Sequence, residues 1–179
     1  METFHEMTIA GLKRQLPLCR VNEHLRIAAF VIFGDVELTV AAATELLKKT
    51  PEFDVIVTAE AKGIPLGYEL ARQSGKRYYV ARKYPKLYMV EPISVNVRSI
   101  TTDKEQVLYL DRPEMEYIRG KRVLIADDVI STGESLTALE TLVERSGGNI
   151  VGRAAILAEG DAAKRDDLCF LEELPLFFD

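Results

Sequence analysis

The chain has 179 residues, of which 47 % are hydrophobic and 28 % charged, with a net charge of -5. At about 100–200 residues per domain this predicts one globular domain, and so large an apolar share argues against disorder. The negative balance excludes a general binder of nucleic acid or of membrane surfaces, since both need a positive field. Residues 8–33 read as β-rich, with Asn22-Glu23 as a turn, and predict a small meander or hairpin. A helix is predicted over about 38–49, with Ala41, Ala42, Leu46 and Leu47 on its apolar side, Lys48 and Lys49 at its C-terminal end, and Pro51 as the stop.

From Asp54 onward short strands alternate with helices. Residues 54–58 form a continuous apolar strand of the buried kind. Pro65 suits the first turn of a helix that runs to Ser74 and ends at Gly75. Further strands are predicted at 78–81, 123–126 and 150–158, with a helix at 135–146 that presents Leu136, Leu139 and Val143 on one face. This order implies an α/β fold, a mostly parallel sheet flanked by helices, preceded by a separate N-terminal hood or flap. Residues 82–106 lack helical periodicity and are expected to form a long irregular lid. The expected organisation is a single domain over 1–179, with a hood at 1–33, a core at 34–160 and a C-terminal segment at 161–179.

The longest apolar run, residues 27–33, falls far short of the ~20 residues that span a bilayer. No basic-then-apolar signal opens the chain, and Cys19 and Cys169 lack metal spacing, so a cytoplasmic protein with reduced cysteines is expected. His5 and His24 stand apart in polar surroundings and give no support to metal or triad chemistry.

The informative stretch is VLIADDVISTGES, residues 123–135. An apolar strand ends in two adjacent carboxylates, Asp127 and Asp128, at the sheet edge where open α/β folds bind ligands. The Ser131-Thr132-Gly133-Glu134-Ser135 turn then opens a helix, where backbone N–H groups and hydroxyls suit a phosphate and Gly133 permits positive φ. Carboxylates for sugar hydroxyls beside a cradle for phosphate point to a sugar phosphate. A nucleotide-binding P-loop would need Lys after Gly133, a dinucleotide fold would need G-x-G-x-x-G, and a phospho-receiver domain would carry its acids near its start. The plain alternative is a strand–turn–helix with a solvated acidic pair.

The segment resembles the phosphoribosyl pyrophosphate (PRPP) motif of the type I phosphoribosyltransferases, differing in Gly133-Glu134-Ser135 where the family often has Gly-Gly-Thr or Gly-x-Thr. Thr58 to Gly67 is similar to the pyrophosphate-binding segment of the adenine-specific subgroup, with Lys62 in place of Arg. Ala81-Arg82-Lys83 followed by Lys86-Leu87 resembles that subgroup's Arg-Lys-x-x-Lys-Leu stretch. Residues 99–103 fall where the subgroup has its mobile catalytic loop, but Thr101-Thr102 replaces its usual Glu-Tyr pair. Phe33-Gly34-Asp35 resembles its Phe-Arg-Asp without the Arg.

The resemblance implies the type I phosphoribosyltransferase fold and a purine phosphoribosyltransferase, adenine-like in its base, that releases pyrophosphate in nucleotide salvage. Asp127 and Asp128 would act as catalytic residues on the ribose. Val129, Ser131, Thr132, Gly133, Glu134 and Ser135 would hold the 5′-phosphate, and Ala61, Lys62, Gly63, Arg82, Lys83 and Lys86 the pyrophosphate. Ser99, Thr101, Thr102 and Asp103 would belong to the closing loop. Magnesium (Mg2+) would arrive with PRPP, held through the substrate rather than by direct protein ligands, and a homodimer is implied. The alternative is a regulatory protein that binds PRPP or a nucleotide without turning it over. Residues 70–102 carry seven basic residues against the single acid Glu91, a local excess suited to a small polyanion.

Overall fold

The computed structural model describes residues 3–98 and 105–178. The hood begins with β1 (Phe4–Ile9), β2 (Leu12–Arg20) and β3 (Leu25–Ala28), which pair antiparallel in sequence. Helix α1 (Val36–Lys49) follows, capped by Asp35, whose side chain accepts from Leu38 N at 3.1 Å. Asp35 also takes both Nε and Nη2 of Arg14 from β2, at 2.6 and 3.0 Å, so one carboxylate starts the helix and ties it to the hood. These two bonds give Asp35 a structural role in the segment that resembles Phe-Arg-Asp.

The core alternates β4 (Val55–Ala59), α2 (Gly63–Ser74) and β5 (Arg77–Ala81), then β6 (Ile93–Arg98), β7 (Glu105–Leu110) and α3 (Arg112–Ile118). It ends with β8 (Arg122–Ile130), α4 (Glu134–Arg145), β9 (Asn149–Glu159), a 3-10 turn over Gly160–Lys164, β10 (Cys169–Leu174) and β11 (Leu176–Phe178). Five strands make a parallel sheet in the order β10-β9-β8-β4-β5. Its strands read as unbroken apolar runs because both faces are covered. Ile56, Leu124, Ala126, Ala154 and Ile156 pack toward α1, α2 and the hood. Val55, Val57, Val123, Ile125 and Ala155 pack toward α4, α3 and the β6–β7 hairpin. Each fully buried Leu or Ile in these layers contributes about 1.5–3 kcal/mol relative to exposure.

Three expectations are corrected. Within the stretch expected to be an irregular lid, residues 82–92 are irregular, but 93–98 form β6, which pairs antiparallel with β7, and Val95 and Leu108 are buried in the same core cluster as the apolar face of α4. Ile93, Val95 and Val97 alternate with Ser94 and Asn96, a two-residue period that the absence of helical periodicity alone does not reveal. A helix absent from the prediction, α3, is set by Asp111 and Glu114, which satisfy each other's backbone N–H groups as a capping box, with Pro113 in the first turn. Residues 161–179, expected to form one segment, are divided: β10 joins the core sheet, whereas β11 pairs antiparallel with β3 and completes the hood sheet.

Candidate active site

Strand β8 carries the two aspartates. It does not end at Ala126 as predicted but continues to Ile130, because Val129 and Ile130 still pair with Leu157 and Ala158 of β9. Asp127 and Asp128 therefore stand within the last turn of a rigid parallel ladder. Asp127 Oδ1 accepts from Asp128 N at 2.9 Å, which fixes its carboxyl plane. Dense packing and then the charge of Asp128 push the Asp127 carboxyl well above the usual carboxylate range, although one edge of it stays open to the cavity. Asp128 is buried, and its Oδ2 lies 3.1 Å from Lys62 Nζ as an ion pair without hydrogen-bond alignment.

After Ile130 the chain turns sharply. Gly133 has φ 81°, a left-handed conformation that glycine adopts without steric cost, and α4 begins at Glu134. The turn encloses a cavity of about 60 Å³, lined by Asp127 and by residues 129–136, or about twice the ~30 Å³ of a liquid water. The N-cap of α4 is Gly133, which has no side chain to cap the helix. Ser131, Thr132 and Gly133 lie on this turn, and Glu134 and Ser135 are the first two residues of the helix behind it.

A larger cavity of about 550 Å³ lies between this edge of the sheet and the hood. Asp127, Asp128, Val129, Ser131 and Ser135 form one wall, and hood residues 27–31 form the facing wall. The loop after β4 brings Ala61 and Lys62 to it, and Lys83 enters from beyond β5. Gly63 sits directly behind: a Cβ there would fall 2.2 Å from Thr58 Oγ1 and 2.8 Å from Asp127 Oδ1. Only a residue without a side chain lets this loop approach β8 so closely.

The remaining predicted ligands are placed differently. Lys62 Nζ is engaged by Asp128 and donates to Phe30 O at 3.3 Å, bridging core and hood. Arg82 and Lys86 do not line the cavity. Arg82 Nε lies 3.4 Å from Glu60 Oε2, and its Nη1 donates to Tyr88 OH at 3.3 Å. Glu60 also accepts from Lys83 N at 2.8 Å, and this bond, with the nearby charges of Arg82 and Lys86, holds its carboxyl below the ordinary value. Glu60 thus organises the basic stretch and went unmarked in the sequence, where a carboxylate among cations gave no sign of its partners. Tyr84 and Tyr88 are exposed, whereas Phe30 is buried and lines the cavity. Ser99, Thr101, Thr102 and Asp103 lie outside the described residues.

No helix among the described residues is long and apolar enough to cross a membrane. The family model described as the phosphoribosyl transferase domain matches residues 35–174. The chain is 37 % identical over 112 residues to a hypoxanthine/guanine phosphoribosyltransferase of Methanococcus voltae, a match covering 63 % of this chain and 56 % of that protein. It is 33 % identical over 127 residues to an adenine phosphoribosyltransferase of Rhodococcus jostii, covering 70 % of this chain and 69 % of that one. The match to an adenine phosphoribosyltransferase of Rubrobacter xylanophilus again covers 56 % of the relative, so the chain spans little more than half the length of some curated relatives. In fold it is similar to the crystal structure of an adenine phosphoribosyltransferase of Thermoanaerobacter pseudethanolicus, with a TM-score of 0.69, 22 % identity and 96 % of each chain covered. With the model match running from the cap of α1 to the end of β10 and taking in both aspartates, the chain belongs to the phosphoribosyl transferase domain family.

Proposed function

We propose that the chain transfers ribose 5-phosphate from PRPP to a purine base and releases pyrophosphate. The observation that carries this reading is the opening of a carboxylate pair, a helix-N-terminal turn and two lysines onto adjoining cavities at one sheet edge. Positive charge develops on the ribose as its bond to pyrophosphate breaks, and electrostatic preorganisation is the protein's main contribution to such a step. Asp127 and Asp128 would bind the ribose hydroxyls and stabilise that charge. Residues 131–135, with Val129 behind them, would hold the 5′-phosphate at the start of α4. Ala61, Lys62 and Gly63 would receive the pyrophosphate with Lys83, and Lys62 would exchange its bond to Asp128 for one to the incoming anion. Arg82 and Lys86 would support that site through the field they share with Glu60.

Magnesium fits as a companion of the substrate. Among the described residues no group of three His, Cys, Asp or Glu side chains could hold a metal, but Asp128 Oδ2 is a buried oxygen without a hydrogen-bond partner. When bound, the ion would neutralise pyrophosphate charge, and Asp128 would offer it an oxygen. The ion pair between Lys62 and Asp128 favours one second reading, a PRPP or nucleotide sensor in which these groups hold ligand without turnover.

Pyrophosphate release from magnesium-PRPP, measured with adenine, guanine, hypoxanthine, xanthine and orotate in turn, tests the proposal. Release with at least one purine, abolished by Asp128→Asn, supports it. PRPP binding without nucleotide from any base would overturn the transferase reading and leave the sensor.

A further inference from the structure

Beneath the hood, the larger cavity ends on a group that the transfer reading does not use. Glu159 closes β9, where its backbone lies beside Leu174 of β10, and its half-buried side chain lines the cavity with hood residues 27–31. Among the described residues no hydrogen bond or ion pair engages its carboxyl. Burial alone raises it above the ordinary carboxylate range, and the field of Lys62 opposes that rise.

The sheet order gives this position its meaning. Strand β9 flanks β8 on the side opposite β4, so Glu159 and the loop at 60–63 bracket Asp128 from its two sides. The β4 side carries the backbone turn and the two lysines suited to an anion. The β9 side presents a lone carboxyl against apolar hood residues and Leu174. A phosphate is repelled there, whereas a flat heterocycle with an outward N–H is not. Small-molecule pockets commonly pair mostly apolar walls with a single orienting polar group of this kind.

We propose that Glu159 is a specificity-determining residue that accepts a hydrogen bond from the exocyclic amino group of a 6-aminopurine and thereby discriminates against 6-oxopurines. The proposal rests on the transferase reading above, with the base taken into the part of the cavity between Glu159 and hood residues 27–31. A carboxyl accepts from an amino N–H, and in its protonated form it donates to the adjacent ring nitrogen. For the ionised carboxylate facing the C6 substituent, a 6-oxo group turns lone pairs toward the same oxygens, and only a shift of the base that brings its N1–H to Glu159 would restore a bond. Sites built to hydrogen-bond one substituent reject analogues lacking it strongly.

The test is calorimetric binding of AMP, IMP and purine ribonucleoside monophosphate, which has hydrogen at C6, to the wild-type chain and to Glu159→Leu and Glu159→Gln. The wild type is expected to bind AMP at least about 10-fold more tightly than either analogue. In Glu159→Leu that preference should shrink to about 2-fold or less, with ribose 5-phosphate and PRPP binding unchanged. Glu159→Gln, which keeps the shape and adds an N–H donor, should shift the preference toward IMP, and thermal melts confirm that both variants fold. An AMP preference equal in all three proteins overturns the proposal. Parallel loss of ribose 5-phosphate binding also overturns it, because Glu159 would then act through Lys62 on the phosphate side. AMP discrimination without turnover of any base leaves Glu159 as the selector and removes the transferase reading, while failure of every ligand to bind the wild type overturns both.

Discussion

Gly63→Ala probes how the pyrophosphate loop is seated. The new Cβ would meet Thr58 Oγ1 at 2.2 Å and Asp127 Oδ1 at 2.8 Å. Neither atom can move away cheaply. Thr58 is fully buried on the interior strand β4, and Asp127 Oδ1 is held by Asp128 N at 2.9 Å. Overpacking of this kind costs about 1–3 kcal/mol, and at ~2–4 °C per kcal/mol for a chain of this size the melting temperature should fall by about 2–12 °C. The displaced loop carries Lys62, so calorimetric PRPP affinity should fall with it. Thr58→Ala removes an Oγ1 that has no hydrogen-bond partner and so relieves the shorter contact. The double variant should be less destabilised than the sum of the singles by about 1 kcal/mol or more, the signature of two residues in direct contact. A Gly63→Ala chain with wild-type melting and PRPP affinity, or a strictly additive double variant, would show that the loop is not packed against β8 as described.

Asp127→Asn should stabilise the free chain while removing ribose-dependent turnover. The folded-state pKa of Asp127 is raised, so the native state keeps a proton that the unfolded chain releases, and wild-type stability declines as pH climbs from the ordinary carboxylate range through the raised value. The melting advantage of Asp127→Asn should therefore be small near about pH 4 and grow toward alkaline pH; a constant difference would contradict the origin of the shift. Asp35→Ala removes the α1 cap and the Arg14 pair together and should cost about 1–2 kcal/mol near neutrality by chemical denaturation. The Arg14 guanidinium holds Asp35 below its usual value, so this contribution is present above the ordinary Asp range and lost as pH falls beneath it; the two proteins should converge in acid.

Much of the site was legible because local chemistry repeats itself there. The apolar strand, the acid pair and the Ser-Thr-Gly turn each have few alternative uses, and Gly133 adopts the positive φ that the turn requires. Elements α1, α2, α4 and the buried strands followed from period and caps, with their ends displaced by one or two residues except at β8, which runs four residues further than predicted. What escaped was long-range. Glu60 and Glu159 gain their meaning from Arg82, Lys83 and the hood, which no local pattern brings to them. Arg82 and Lys62 read as free cations in the sequence but are paired with carboxylates in the fold. Strand β6 was written in the alternation of Ile93, Val95 and Val97 with Ser94 and Asn96, although the Glu91-Pro92 before it reads as loop, whereas β11 was hidden by its shortness, since three residues carry almost no period.

The pairing of β11 with β3 has a mechanical consequence. The hood is covalently joined to the core at two places, through residues 29–35 and again through Pro175 between β10 and β11. A wall attached by one tether can swing through a cone, whereas one pinned at two points can only rock about the line between its pins. The cavity's mouth therefore has a single soft direction, and Lys62, which bonds Phe30 O on the hood and Asp128 on the core, lies across it. Drawing Lys62 toward an incoming anion would unfasten the roof at the same moment that the floor is filled, so that the first ligand to bind prepares the way in for the second.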